Sequence, residues 1–126
     1  MKYGLLGQRL KHSYSPRIHH SLGSPDYDLI EREPQDIPEL LNNPELKGLN
    51  VTFPYKQVVL NHCHHISQIA ERIGCINTLV KCNGDWYGYN TDYHGIIYAL
   101  KHAHIDVERK QCLILGDGAT SKTVHV

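Results

Sequence analysis

No apolar run in these 126 residues approaches the length of a membrane-spanning helix. The opening stretch "MKYGLLGQRL" carries charge but no sustained apolar segment, so it does not read as a secretion signal. Cys63, Cys75, Cys82 and Cys112 form no C-x-x-C pair. Without a secretion signal they are expected to be reduced, mostly packed thiols. Net charge is missing as well: 13 Lys and Arg cancel 13 Asp and Glu, which leaves no general attraction to nucleic acid or to an acidic membrane. Neither partner is expected, and the expected compartment is the cytoplasm. Internal repeats and low-complexity segments are also lacking.

What is present fits a soluble globular chain of one domain's length. Hydrophobic residues make up 40% and charged residues 21%, which argues against disorder. Ten histidines are many for the length, so net charge should climb on mild acidification.

Strand and helix signals alternate along the chain. "KYGLLG" reads as a short buried strand, and Ser15-Pro16 as a helix start that runs to about Gly23. "YDLIERE" alternates as a strand does. A helix is expected over 36–43, then the strand "GLNVTF", then a helix over "PYKQVVLNH". Ser67 should cap "SQIAERI" and Gly74 close it. "INTLVKC" and "DWYGY" flank Asn83-Gly84, the favoured two-residue hairpin turn. Asn90 or Thr91 starts a long helix with Ile96, Ile97, Leu100 and Ala103 on one face. "QCLIL" reads as a buried strand, and "GDGATS" as a turn into one more helix. The pattern predicts an α/β fold: a mostly parallel open sheet with one antiparallel hairpin and helices on both faces.

Four polar clusters fall at strand or helix ends, where ligands gather in open α/β sheets. In "HSYSP", Ser13 and Ser15 are two apart, so both hydroxyls can face one way beside free helix amides. One capping serine beside an incidental one explains the same letters. In "NVTFPYK", Asn50 and Thr52 share a strand face. Lys56 there would sit in a first helical turn, where a cation opposes the helix dipole. "GCINT" supplies Asn77. "YGYNTDYHG" supplies Thr91 and Asp92, the latter where a helix welcomes a carboxylate. A solvated lysine and an ordinary helix cap are the plain alternatives for these.

S-x-S-P, N-V-T-x-P-x-K, G-x-x-N-T and N-T-D-x-x-G occur in this order between residues 13 and 95, followed by a glycine-rich turn, and the likeness they carry extends over residues 3 to 124. Together they resemble the shikimate/quinate dehydrogenase family. The resemblance implies reduction of 3-dehydroshikimate to shikimate with NADPH, in aromatic amino-acid biosynthesis. It implies that Ser13 and Ser15 hold the substrate carboxylate. Asn50, Thr52, Asn77 and Thr91 would bond ring hydroxyls or position their neighbours, and Lys56 and Asp92 would be the catalytic pair, also in contact with substrate. Gly116, Gly118, Ala119, Thr120 and Ser121 would form the first corner of the cofactor site. No metal is implied.

Three departures stand out. Ala119 replaces a glycine of the family's G-x-G-G-A turn, Ser121 stands where a third glycine is usual, and Cys75 replaces an alanine. The family also continues well past this length. The expectation is therefore a shikimate-binding catalytic domain at 1–108 with the start of a truncated Rossmann-like NADP domain at 109–126. Such a fragment would bind substrate at most, and would pair as a homodimer through its exposed strand. Other readings remain: a quinate/shikimate dehydrogenase that uses NAD, a non-catalytic shikimate-binding module, or a metal module at His62, Cys63, His64 and His65, where His62 and His65 could share a helical face.

Overall fold

A computed structural model describes residues 2–24 and 26–126. Among the described residues six strands form one open sheet: β1 (Tyr3–Gly7), β2 (Tyr27–Glu31), β3 (Gly48–Val51), β4 (His65–Ile66), β5 (Thr78–Cys82) and β6 (Asp85–Tyr89). Their order across the sheet is β2-β1-β3-β5-β6-β4. β1 runs parallel to both β2 and β3, and β4 runs parallel to β6. β5 is antiparallel to β3 and to β6. The helices are α1 (Ser15–Ser21), α2 (Ile37–Asn42), α3 (Gln68–Ile73), α4 (Asp92–His102) and α5 (Ala119–Val124).

Alternation along the strands separates two faces. Leu6, Ile30, Leu49, Val51, Leu79 and Trp86 point into the main core, where Ile37, Leu40 and Leu41 of α2 and Ala70 of α3 meet them. Leu5 and Tyr27 point the other way and pack with Leu10. On that second side α1 lays His19 flat on the Tyr27 ring, 3.8 Å between centroids. The polar site residues Asn50 and Thr78 are register partners between β3 and β5.

Several local expectations hold. Ser67 Oγ accepts the amide of Ala70 at 3.3 Å, and Gly74 ends α3 at φ 73°. Asn83 and Gly84 both take positive φ in the turn that joins β5 to β6. α2 is entered through a 3-10 turn over Pro34–Asp36.

Others are corrected. Residues 54–62 do not form an α-helix; a chain of turns leads into a 3-10 segment, Val58–His62. Tyr55 and Val59 are wholly buried here, and the Tyr55 hydroxyl donates to the carbonyl of Arg32. Two adjacent β-branched valines weaken the helical alternative. Lys56 therefore opposes no helix dipole. Ser15 is the first residue of α1, not its cap; Ser13 Oγ accepts the Ser15 amide at 3.2 Å instead. On α4, Ile96, Ile97 and Leu100 are half-buried but Ala103 is exposed.

"QCLIL" is not a buried strand. Residues 111–115 join no sheet, and Leu113 and Leu115 are 85% and 88% exposed, so the run is neither a strand nor buried. The cysteines divide evenly: Cys75 is buried and Cys63 half-buried, while Cys82 and Cys112 are exposed. His62 and His65 lie in a 3-10 segment and in β4, so no helix aligns them. Among the described residues no group of three or more His, Cys, Asp or Glu side chains could hold a metal ion, and no helix is long and apolar enough to cross a membrane.

Candidate functional site

The ends of β3 and β5 and the start of α4 converge. Lys56 Nζ lies 2.6 Å from Asp92 Oδ2, with 15% and 32% of the two side chains exposed. This is a short, charge-assisted hydrogen bond on the rim of the fold. Asp92 opens α4, where the helix amides favour a carboxylate. Its other oxygen, Oδ1, accepts Asn77 Nδ2 at 2.8 Å. Both carboxylate oxygens are thus engaged, and Lys56 keeps two further N–H bonds for a ligand.

Asn77 is the buried hinge of the cluster. Its Oδ1 accepts the backbone N–H of Thr91 at 2.8 Å and the hydroxyl of Thr78 at 3.0 Å. Its Nδ2 also reaches Thr91 Oγ1 at 2.9 Å. The main chain supports the same arrangement: the amide of Ile76 donates to the carbonyl of Lys56 at 2.7 Å. Asn90 completes the entry to α4, with Oδ1 accepting Tyr93 N at 3.2 Å and Nδ2 donating to the carbonyl of Cys75 at 3.1 Å. Burial, eased by nearby Lys122, Gln57 and Lys56, pushes the Cys75 thiol above its ordinary value, so beneath the site it behaves as a neutral packing group.

The serine pair lies across the sheet. Ser13 and Ser15 place their hydroxyl oxygens 3.2 Å apart, so the two do face one way. Thr52 stands between the two groups. It borders the groove that includes Ser13, and also a cleft of about 430 Å³ that holds Lys56 and the turn Gly116–Ser121. Asn50 donates toward Thr78 Oγ1 at 3.5 Å and accepts the Tyr27 hydroxyl at 2.7 Å. The sequence reading missed Tyr27, Thr78 and Asn90. Thr78 and Asn90 are themselves letters of the motifs G-x-x-N-T and N-T-D-x-x-G, which was a usable signal. Tyr27 carried none, since it reads as an ordinary strand residue.

The glycine turn is open. Gly116 has φ 115°, and a Cβ added at Gly116 or Gly118 would meet nothing within 4 Å. No side chain caps α5, although Ser121 Oγ folds back onto the carbonyl of Gly118 at 2.7 Å. Ala119 is helical, where a methyl group is accommodated without strain. Lys56 and this turn thus line one cleft.

Residues 5–79 match the family model for the shikimate dehydrogenase substrate binding domain. The chain is 38% identical over 130 aligned residues to the shikimate dehydrogenase (NADP(+)) of Clostridium beijerinckii, covering 97% of this chain and 48% of that one. It superposes on shikimate dehydrogenase 1 of Peptoclostridium difficile with TM-score 0.89 and 38% identity, over 99% of this chain and 51% of the other. The shikimate 5-dehydrogenase of Thermus thermophilus, solved with NADP(H) and shikimate, gives TM-score 0.88 at 32% identity, over 98% and 50%. The chain spans about half the length of the curated relatives it matches.

Proposed function

Because the chain belongs to the shikimate dehydrogenase substrate-binding domain family, we propose that it forms the shikimate-binding part of an NADP-dependent dehydrogenase that interconverts 3-dehydroshikimate and shikimate, a step of the chorismate pathway. The observation that carries this reading is the Lys56–Asp92 pair, 2.6 Å apart and locked by Asn77 on the rim of the cleft shared with the glycine turn. In this reading residues 1–108 are the substrate domain, and 109–126 begin the part that meets the cofactor.

The roles follow from the chemistry of each group. Ser13 and Ser15 offer adjacent hydroxyls to a carboxylate. Asn50, Thr52, Asn77 and Thr91 offer neutral donors and acceptors to ring hydroxyls. Lys56 Nζ donates a proton to the carbonyl oxygen as negative charge develops on it, and takes the proton back from the alcohol in the reverse direction. Asp92 Oδ2 orients that ammonium and keeps its charge balanced. The open, uncapped turn Gly116–Ser121 fits one end of a phosphate-bearing cofactor, with Gly116, Gly118, Ala119, Thr120 and Ser121 as the holding residues. A bound nicotinamide dinucleotide supplies the hydride.

Shikimate titrated into the 126-residue chain and followed by amide NMR tests the binding part. Saturable shifts are expected at Ser13, Ser15, Lys56, Asn77 and Asp92, and shifts confined elsewhere would refute the site. For catalysis, the chain joined to the second half of the Clostridium beijerinckii relative should turn over shikimate with NADP⁺. Lys56→Ala in that fusion should lower kcat by roughly 10²–10⁴ with little change in KM.

A further inference from the structure

We propose that Tyr27 is a positioning residue that sets the specificity of the site by fixing which end of the Asn50 amide faces the ligand. The inference rests on the reading of this cluster as the shikimate pocket.

Two groups in the cluster have no choice of polarity. A backbone N–H can only donate, so the Asn77 atom facing Thr91 N at 2.8 Å is oxygen. A carboxylate only accepts, so the Asn77 atom facing Asp92 Oδ1 at 2.8 Å is nitrogen. Thr78 gives its proton to Asn77 Oδ1, 3.0 Å away, the shorter of its two hydroxyl contacts in the cluster, the other being Thr91 Oγ1 at 3.3 Å. What Thr78 has left is a lone pair, and it turns Asn50 so that Nδ2 lies on the Thr78 side at 3.5 Å. Asn50 Oδ1 therefore faces Tyr27, and the phenol donates to it at 2.7 Å. Polarity set at Asp92 is handed residue by residue to the far side of the sheet.

The links are unequal. The Asn50–Thr78 contact is at the limit of a hydrogen bond and cannot hold an amide by itself. The Tyr27 bond is the short one, and its donor is pinned. Tyr27 is 7% exposed, stacked under His19, and part of the Leu5–Leu10 cluster. Burial pushes its hydroxyl up to about 12, with a Ser15 side-chain bond lowering it, so the phenol has a proton to give at physiological pH; with Asn50 Nδ2 on the Thr78 side, Oδ1 is the end that receives it. Asn50 consequently presents its remaining N–H, a donor, to a bound ligand oxygen. Without the phenol the amide is free to present its carbonyl instead.

The test is calorimetric binding of shikimate to the 126-residue chain as wild type, Tyr27→Phe, Asn50→Ala and the double variant. Tyr27→Phe should weaken binding about tenfold, and should add nothing in the Asn50→Ala background. Losses that simply add, or Tyr27→Phe binding like wild type, would overturn the proposal while leaving the shikimate pocket standing. No binding by the wild-type chain would bring down the pocket and this proposal together. A second reading needs no variant: nuclear Overhauser contacts from the Asn50 Nδ2 protons should run to Thr78, and contacts to the Tyr27 ring would overturn it.

Discussion

One wall of the cleft is Lys56, held to Asp92 by its side chain and to Ile76 by its main chain, with Asn77 bonded on every polar atom behind it. The facing wall is residues 115–118, largely exposed, with no sheet partner and no side-chain cap on α5. The walls contribute to the same cavity but are specified in different ways. The first is fixed by bonds that cross between β3, β5 and α4, so each position constrains the next. The second has no such crossing bonds: residues 115–118 join no strand, and no side chain caps the helix they lead into.

The sharpest way to break that contrast is Asn77→Ala. It strands a backbone N–H and half of a carboxylate, and should cost about 3 kcal/mol in urea unfolding; a loss below about 1 kcal/mol would mean the wall is not held as described. A second effect is expected in alkali. The folded chain holds the Tyr27 proton more tightly than the unfolded chain does, so its contribution is complete below pH 10 and is lost as pH rises towards about 12. Unfolding measured across this window should decline by on the order of 2 kcal/mol, and Tyr27→Phe should remove that share. Tyr55, raised by burial and then by Glu33 and Asp36, keeps its own share of the decline.

The same substitution made behind the first wall and in the second gives a finer comparison. At Gly88 in β6 a Cβ would come within 2.3 Å of Ile76 Cδ1 and 3.0 Å of Cys63 Sγ. Ile76 is fully buried, so making room means repacking the core, and Gly88→Ala should destabilise by about 1.5 kcal/mol. At Gly118, where φ is −70° and no atom is within reach, Gly118→Ala should change stability by less than about 0.5 kcal/mol. Equal effects on thermal unfolding would erase the distinction between the walls.

Much of the first wall was legible in the sequence because its polar residues interrupt strand and helix signals. Asn50, Asn77 and Asp92 stand where apolar periodicity stops, and Asn83-Gly84 announces its own turn. Tyr27 was not legible. Its hydroxyl reaches from β2 over β1 to Asn50 on β3, and the order β2-β1-β3 is a property of the sheet that no local period encodes. Residues 54–62 misled because Pro54 is also a helix-start signal, while burial of Tyr55 and Val59 decided the path. Residues 111–115 misled in the opposite sense. Apolar letters state a preference for burial, but burial requires a neighbour, and none of the six strands takes that place.

The main-chain bond from Ile76 to Lys56 has a mechanical consequence. The segment bearing the lysine and the strand entry bearing Asn77 are fastened together like two leaves of one bracket. Whatever shifts one leaf carries the other with it, so the reach from Lys56 to Asp92 is secured twice, once by main chain and once by side chain.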